Sequence, residues 1–149
     1  MTDARQKCRD IMTKNVRTAT ADASLRDVAA MMRDGDMGAV PVVDGSRLVG
    51  IVTDRDIVVR CVSAGKTPDS PISEAMTSEL FTVKPDDFVF EAVRVMGDKQ
   101  VRRIPVVNED GSLAGIIAMA DVALEMEDQQ EIAETIEEIS SGPGFWQKD

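Results

Sequence analysis

At 149 residues the chain can bury one sizeable core, as a single domain or as two small halves packed together, and 43% hydrophobic with 30% charged residues is ordinary for a globular protein. A formal net charge of −10 argues against nonspecific nucleic-acid binding, and the absence of histidine and tyrosine removes the commonest general acid/base and the commonest imidazole metal ligand. The two cysteines, Cys8 and Cys61, form neither a CxxC nor a disulfide framework, so free thiols in a reducing compartment are expected. No apolar run reaches the ~18 residues of a membrane span. The opening MTDARQKCRD lacks the apolar core of a signal peptide, so a cytoplasmic protein without membrane or nucleic-acid partners is expected.

Ser24 is placed to cap a helix in which Leu25, Val28, Ala29 and Met32 form an apolar stripe at i, i+3, i+4 and i+7. Two β-rich runs follow, AVPVV and RLVGIV, joined by Asp44-Gly45-Ser46 as a hairpin, with Pro41 expected at a strand start or edge. After Thr53 a helix carrying Ile57, Val58 and Cys61 begins and ends near Gly65. The turn-forming stretch SAGKTPDSP then leads, through a linker at 66–71, into a second passage of the same kind.

That second passage is a repeat. Met12-Thr13 recurs as Met76-Thr77, Thr18 as Thr82, Asp22 as Asp86, Met32 as Met96 and Pro41-Val42-Val43 as Pro105-Val106-Val107, each 64 residues on (12 to 76, 41 to 105). Gly50 matches Gly115, because one residue is added in the second turn. Val89, Ala92, Val93 and Met96 repeat the helical stripe. Each copy therefore reads strand, helix, strand, strand, helix, an α+β fold whose two β-α-β-β-α units are related by a pseudo-twofold axis. The domains are 8–65, the linker 66–71, 72–124, and an acidic helix and tail at 125–149. In that tail seven acidic residues lie between Glu125 and Glu138 with no basic residue, Ile132, Ile136 and Ile139 mark one apolar stripe, and Phe145 and Trp146 follow a breaker.

The pattern MT, T-x-x-x-D, VPVVDG and LVGIVTDRDIV, twice over across residues 8 to 123, resembles a tandem pair of CBS domains (cystathionine β-synthase type). The resemblance implies two clefts, each able to hold an adenosine-containing ligand such as AMP, ADP, ATP, NAD or S-adenosylmethionine, with Mg accompanying ATP. It implies a noncatalytic sensor, with no cofactor acting as catalyst, that forms a homodimer and acts on a separate regulated protein. It also implies that each cleft draws on both copies. The favoured first site combines Ile51, Thr53, Asp54 and Asp56 with Leu80, Phe81 and Thr82 and with Arg102, Arg103, Ile104 and Pro105. The weaker second site combines Ile116, Ala118 and Asp121 with Val16, Arg17 and Thr18 and with Met37, Gly38 and Pro41.

The chemistry of these residues ranks the two sites. Asp56 offers two acceptor oxygens to a ribose diol, and Thr53 stands at a helix start, where backbone N–H groups and the dipole favour an anion. Arg102 and Arg103 can make charge-assisted bonds to phosphate, and Lys99 adds field. The second site has Ala118 for Thr53, and its Met37-Gly38 segment carries no arginine where the first site has Arg102-Arg103. Thr53-x-x-Asp56 is also a capping-box pattern, and one residue pair can serve both purposes. The competing reading is a structural adaptor with empty clefts and an acidic interaction surface. An enzyme is not expected, since no nucleophile–base set, metal cluster or phosphate loop is present in the sequence.

Overall fold

The computed structural model describes residues 6–125 and 137–139. In chain order the elements are α1 (Cys8–Ile11), α2 (Leu25–Gly35), β1 (Ala39–Asp44), β2 (Arg47–Thr53), α3 (Asp54–Asp56), a π-helical continuation (Ile57–Val62) and a 3-10 turn (Ile72–Glu74). They continue with α4 (Val89–Lys99), β3 (Arg103–Val107), β4 (Leu113–Ala118) and α5 (Met119–Glu125). The sheets are two-stranded, β1 with β2 and β3 with β4. This is the mixed helix-and-strand architecture expected. The Ile132–Ile136 part of the acidic stripe, together with Phe145 and Trp146, lies outside the described residues.

The chain divides into two compact units that do not coincide with the two sequence copies. The described part of unit 1 is 6–15, 81–109, 114–125 and 137–139; unit 2 is Val16–Leu80 with Asp110–Leu113. The opening segment of each copy thus belongs to the body of the other. Its attachment has a local cause. Thr77 exchanges both backbone hydrogen bonds with Ile51 (3.0 and 2.8 Å) in unit 2, and Thr13 does the same with Ile116 (2.9 and 3.1 Å) in unit 1. A Cβ on Gly50 would stand 2.8 Å from Met76 Sδ, and one on Gly115 would stand 2.7 Å from the Thr13 carbonyl oxygen. The repeated glycine and the repeated Met-Thr are therefore two sides of one contact, in which only a residue without a side chain lets the backbones approach.

Unit 2 packs Leu25, Val28 and Met32 of α2 against Val40, Val42 and Val52 of the hairpin, with Cys61, Ile72 and Ala75 completing the core. Ser24 caps α2 by accepting from the Asp27 N–H at 3.0 Å. Ala29, expected in the stripe, is instead exposed: it lies at the margin of a face that Leu25, Val28 and Met32 already fill. Unit 1 repeats the plan with Val89, Ala92, Val93 and Met96 against Ile104, Val106 and Ile117, and it also buries Cys8 and Ile139.

The first strand predicted for each copy is reduced to a single parallel bridge, Ala19 to Val42 and Val83 to Val106. Proline explains the loss. Ala19 donates to the Pro41 carbonyl and accepts from Val43, so the next ladder bond toward the N-terminus would need an N–H that Pro41 lacks. Val83 between Pro105 and Val107 repeats the arrangement. Pro41 therefore lies inside β1 rather than at its start, opposite Ile51, with its nitrogen facing the edge where pairing stops. A second departure follows Asp56, where the helix opens into a π-turn stretch closed by Ser63 N–H donating to the Val58 carbonyl at 3.0 Å. Of its six residues only Cys61 is buried, so Val58, expected with the apolar side, is 57% exposed beside Val59 and Val62.

Candidate functional site

The carboxylate at the end of each hairpin is set by helix-capping geometry. In unit 2 the Asp56 N–H donates to Thr53 Oγ1 at 3.0 Å while Asp56 Oδ2 accepts from the Thr53 N–H at 2.9 Å, a closed capping box. In unit 1 Asp121 Oδ2 accepts from the Ala118 N–H at 3.2 Å, but Ala118 has no hydroxyl to return. The Thr53/Ala118 difference is thus a whole box against half a box. Asp56 keeps Oδ1 outside the box, and its side chain is 19% exposed.

The helix start does not offer free N–H groups to an anion, contrary to the sequence-based expectation. The Asp54 N–H donates to the Gly38 carbonyl at 3.0 Å, the Arg55 N–H to Asp54 Oδ1 at 2.8 Å, and the Asp56 N–H to Thr53. Two carboxylates also stand in that first turn, which makes it a poor place for phosphate. A hydroxyl-bearing group suits it better, since Asp56 Oδ1 is an acceptor and the Thr53 hydroxyl retains its proton to donate.

Unit 2 holds Val16, Arg17, Thr18, Met37, Gly38, Pro41, Ile51, Thr53, Asp54, Asp56 and Leu80. Unit 1 holds Phe81, Thr82, Arg102, Arg103, Ile104, Pro105, Ile116, Ala118 and Asp121. Within each unit the structure brings the segment before the first hairpin strand beside the end of the second. The Gly38 carbonyl meets Asp54 N–H, and the Arg102 carbonyl accepts from Met119 N–H at 2.8 Å. Arg102 and Arg103 are exposed, whereas Ile104, Pro41 and Pro105 are buried. Phe81 is half-buried, with Lys99 Nζ 5.0 Å from its ring centroid, so Lys99 is engaged on an aromatic face rather than standing alone as a field source. Arg17 Nη1 lies 3.2 Å from the Cβ position of Gly35, and its charge helps hold the nearby Asp34 carboxyl below its usual range, after the larger effect of Arg33.

Sequence reasoning passed over Arg60. Its Nε is 3.9 Å from Asp56 Oδ1, and its Nη1 donates to the carbonyls of Ala75 (3.5 Å) and Met76 (3.2 Å). The available signal was its i+4 spacing from Asp56. Burial pushes the Cys61 thiol pKa up, with Glu74 adding to it, so that neighbouring sulfur is not a nucleophile at neutral pH. Among the described residues no group of three or more His, Cys, Asp or Glu could hold a metal ion, and no helix is long and apolar enough to cross a membrane.

Two copies of one helix-plus-hairpin unit, each presenting a carboxylate at the start of the helix after its hairpin and each completed by the other copy's leading segment, define a tandem-repeat α+β module. The CBS-domain family model matches residues 8–63 and 72–128. The chain belongs to the CBS-domain family. It is 33% identical over 132 residues to the CBS domain-containing protein YhcV of Bacillus subtilis, covering 89% of this chain and 94% of that one. Among solved structures it resembles CBSX2 in complex with AMP, with 26% identity, a TM-score of 0.72, and 80% and 94% of the two chains covered. It also resembles the CBS domain pair of MJ0100 in complex with 5′-methylthioadenosine and S-adenosyl-L-methionine, with 27% identity, a TM-score of 0.72, and 80% and 98% covered.

Proposed function

We propose that this protein is a noncatalytic cytoplasmic sensor that binds an adenosine nucleotide and, on doing so, changes its association with a regulated partner. The observation that carries the reading is the closed Thr53–Asp56 box, which fixes a half-buried carboxylate with one oxygen left over and a hydroxyl proton beside it. Asp56 takes the ribose hydroxyls. The AMP and S-adenosylmethionine complexes of its structural relatives support the ligand class. The Asp121 position lacks the hydroxyl and binds weakly. Exposed Val58, Val59 and Val62 support a homodimer in solution.

Calorimetric titration with adenosine, AMP, ADP, ATP, NAD and S-adenosylmethionine tests this. About one tight site per chain is expected, with a matching rise in melting temperature of RT ln(1 + [L]/Kd) in free energy. Two equal sites per chain would contradict the ranking. No binding of any of these ligands would leave an adaptor with empty clefts as the reading.

A further inference from the structure

Arg60 joins three things that the sequence keeps apart. It reaches back one turn to Asp56 Oδ1, and its Nη1 donates to the carbonyls of Ala75 and Met76. The next residue, Thr77, is bonded through its backbone to Ile51 on β2, two residues before Thr53. The guanidinium thus closes a ring that runs from the box carboxylate, through the incoming segment, back to the strand leading into the box. All of these groups lie in unit 2.

The oxygen that Arg60 faces is the one the capping box leaves over. Oδ2 is committed to the Thr53 N–H, so the box turns Oδ1 toward the cation, whose Nε stands 3.9 Å away. A planar guanidinium anchored on two carbonyls is held in place, which a freely rotating side chain is not. The second copy lacks this arrangement: Thr53, Asp56 and Arg60 correspond to Ala118, Asp121 and Glu125, so a carboxylate stands in the sequence where the first copy has a cation. Both features that distinguish Asp56 from Asp121 thus act on the same carboxyl group.

We propose that Arg60 is a positioning residue for ligand binding: anchored on the Ala75 and Met76 carbonyls, it favours by its charge the orientation of the Asp56 carboxylate that accepts the ribose diol. This rests on the nucleotide-binding reading above. Arg60 acts through Asp56 and does not itself touch the phosphates, so its contribution is confined to ligands that carry the diol.

The test compares adenosine with 2′,3′-dideoxyadenosine, by calorimetry, on the full chain and on Arg60→Ala, Arg60→Lys, Asp56→Asn and the Arg60→Ala/Asp56→Asn double variant. Arg60→Ala should weaken adenosine about tenfold, the size of one weakened charge-assisted bond, and leave the dideoxy compound within about twofold. In the Asp56→Asn background the same change should have no further effect on adenosine, because residues acting through one group are not additive. Arg60→Lys keeps the cation and should recover part of the lost affinity. Equal weakening of both ligands, or full additivity in the double variant, would overturn the proposal by showing that Arg60 only supports the fold. Wild-type protein that binds neither compound would instead remove the nucleotide reading, and the proposal with it. Wild-type protein that binds both equally would leave nucleotide binding in place and refute the positioning role.

Discussion

Replacing Thr53 by alanine gives the first copy the second copy's residue, and its cost can be worked from the box. The substitution leaves the Asp56 N–H without the Thr53 Oγ1 that accepts it at 3.0 Å, while Asp56 Oδ2 can still accept from residue 53, as Asp121 does from Ala118. An N-cap of this kind contributes about 1 kcal/mol, and a half-buried methyl adds about 0.4 kcal/mol. A total near 1.4 kcal/mol lowers the melting temperature of a chain this size by about 3–6 °C. The mirror change, Ala118→Thr, meets an Asp121 already in place and should raise stability by about 0.5–1 kcal/mol. Thermal unfolding followed by circular dichroism, without ligand, reads both, with Thr53→Ser expected to stay near wild type. If Thr53→Ala left the melting temperature unmoved, or Ala118→Thr lowered it as Thr53→Ala does, the box would not be what distinguishes the two copies.

Asp56→Asn should weaken adenosine, AMP and ATP alike by about 1.5–3 kcal/mol while Asp121→Asn changes little; equal losses in calorimetry would mean the sites are ranked wrongly. Arg103→Ala should weaken ATP more than AMP and spare adenosine, and the wild-type affinity for ATP should fall with added salt; normal ATP binding by the variant would remove the phosphate role. Val58→Asp with Val62→Asp places charge on the exposed apolar face and should convert a dimer to a monomer in sedimentation, whereas an unchanged mass would locate the interface elsewhere. The Cys8 thiol is pushed up to about 12, first by burial and then by Asp87, from an ordinary 9.0. The unfolded chain therefore ionises there first, so the stabilisation is complete below pH 9 and is lost as pH rises toward 12. The melting temperature should fall more steeply over that range in wild type than in Cys8→Ala, and parallel curves would refute the assignment.

What was legible in the sequence had a periodic or repeated cause. The α2 and α4 stripes, the Ser24 cap, the hairpin turn at Gly45 and the Thr53 box could all be read from spacing, because each depends on neighbours within a few residues. The losses came from long-range constraints. Nothing local to Thr18 or Thr82 shows that the strand beside it cannot extend; the cause is a proline more than twenty residues away, at Pro41 or Pro105. The glycines of LVGIV and LAGII were visible as repeated letters, but their reason lies in Met76-Thr77 and Met12-Thr13, which the structure alone places against them. The occupied N–H groups at Asp54 and Arg55 were hidden for the same reason, since the acceptor for the first of them is the carbonyl of distant Gly38.

The exchange of leading segments has a consequence for how the molecule is made. Unit 2 needs the bridge from Ile51 to Thr77 and the strand-edge residues at 110–113, so it is still incomplete when its own hairpin and helices have left the ribosome. Unit 1 waits longer, because residues 6–15 must hold in reserve a partner strand, Leu113–Ala118, that is synthesised about a hundred residues later. Closing loops of that length costs little more free energy than closing short ones, since the penalty grows only logarithmically, but it makes the contacts late. The nascent chain therefore presents Met12-Thr13 as an unpaired edge until Ile116 has been made, and a cut placed at the boundary between the sequence copies would leave Met12-Thr13 in one product and Met76-Thr77 in the other without a partner strand permanently.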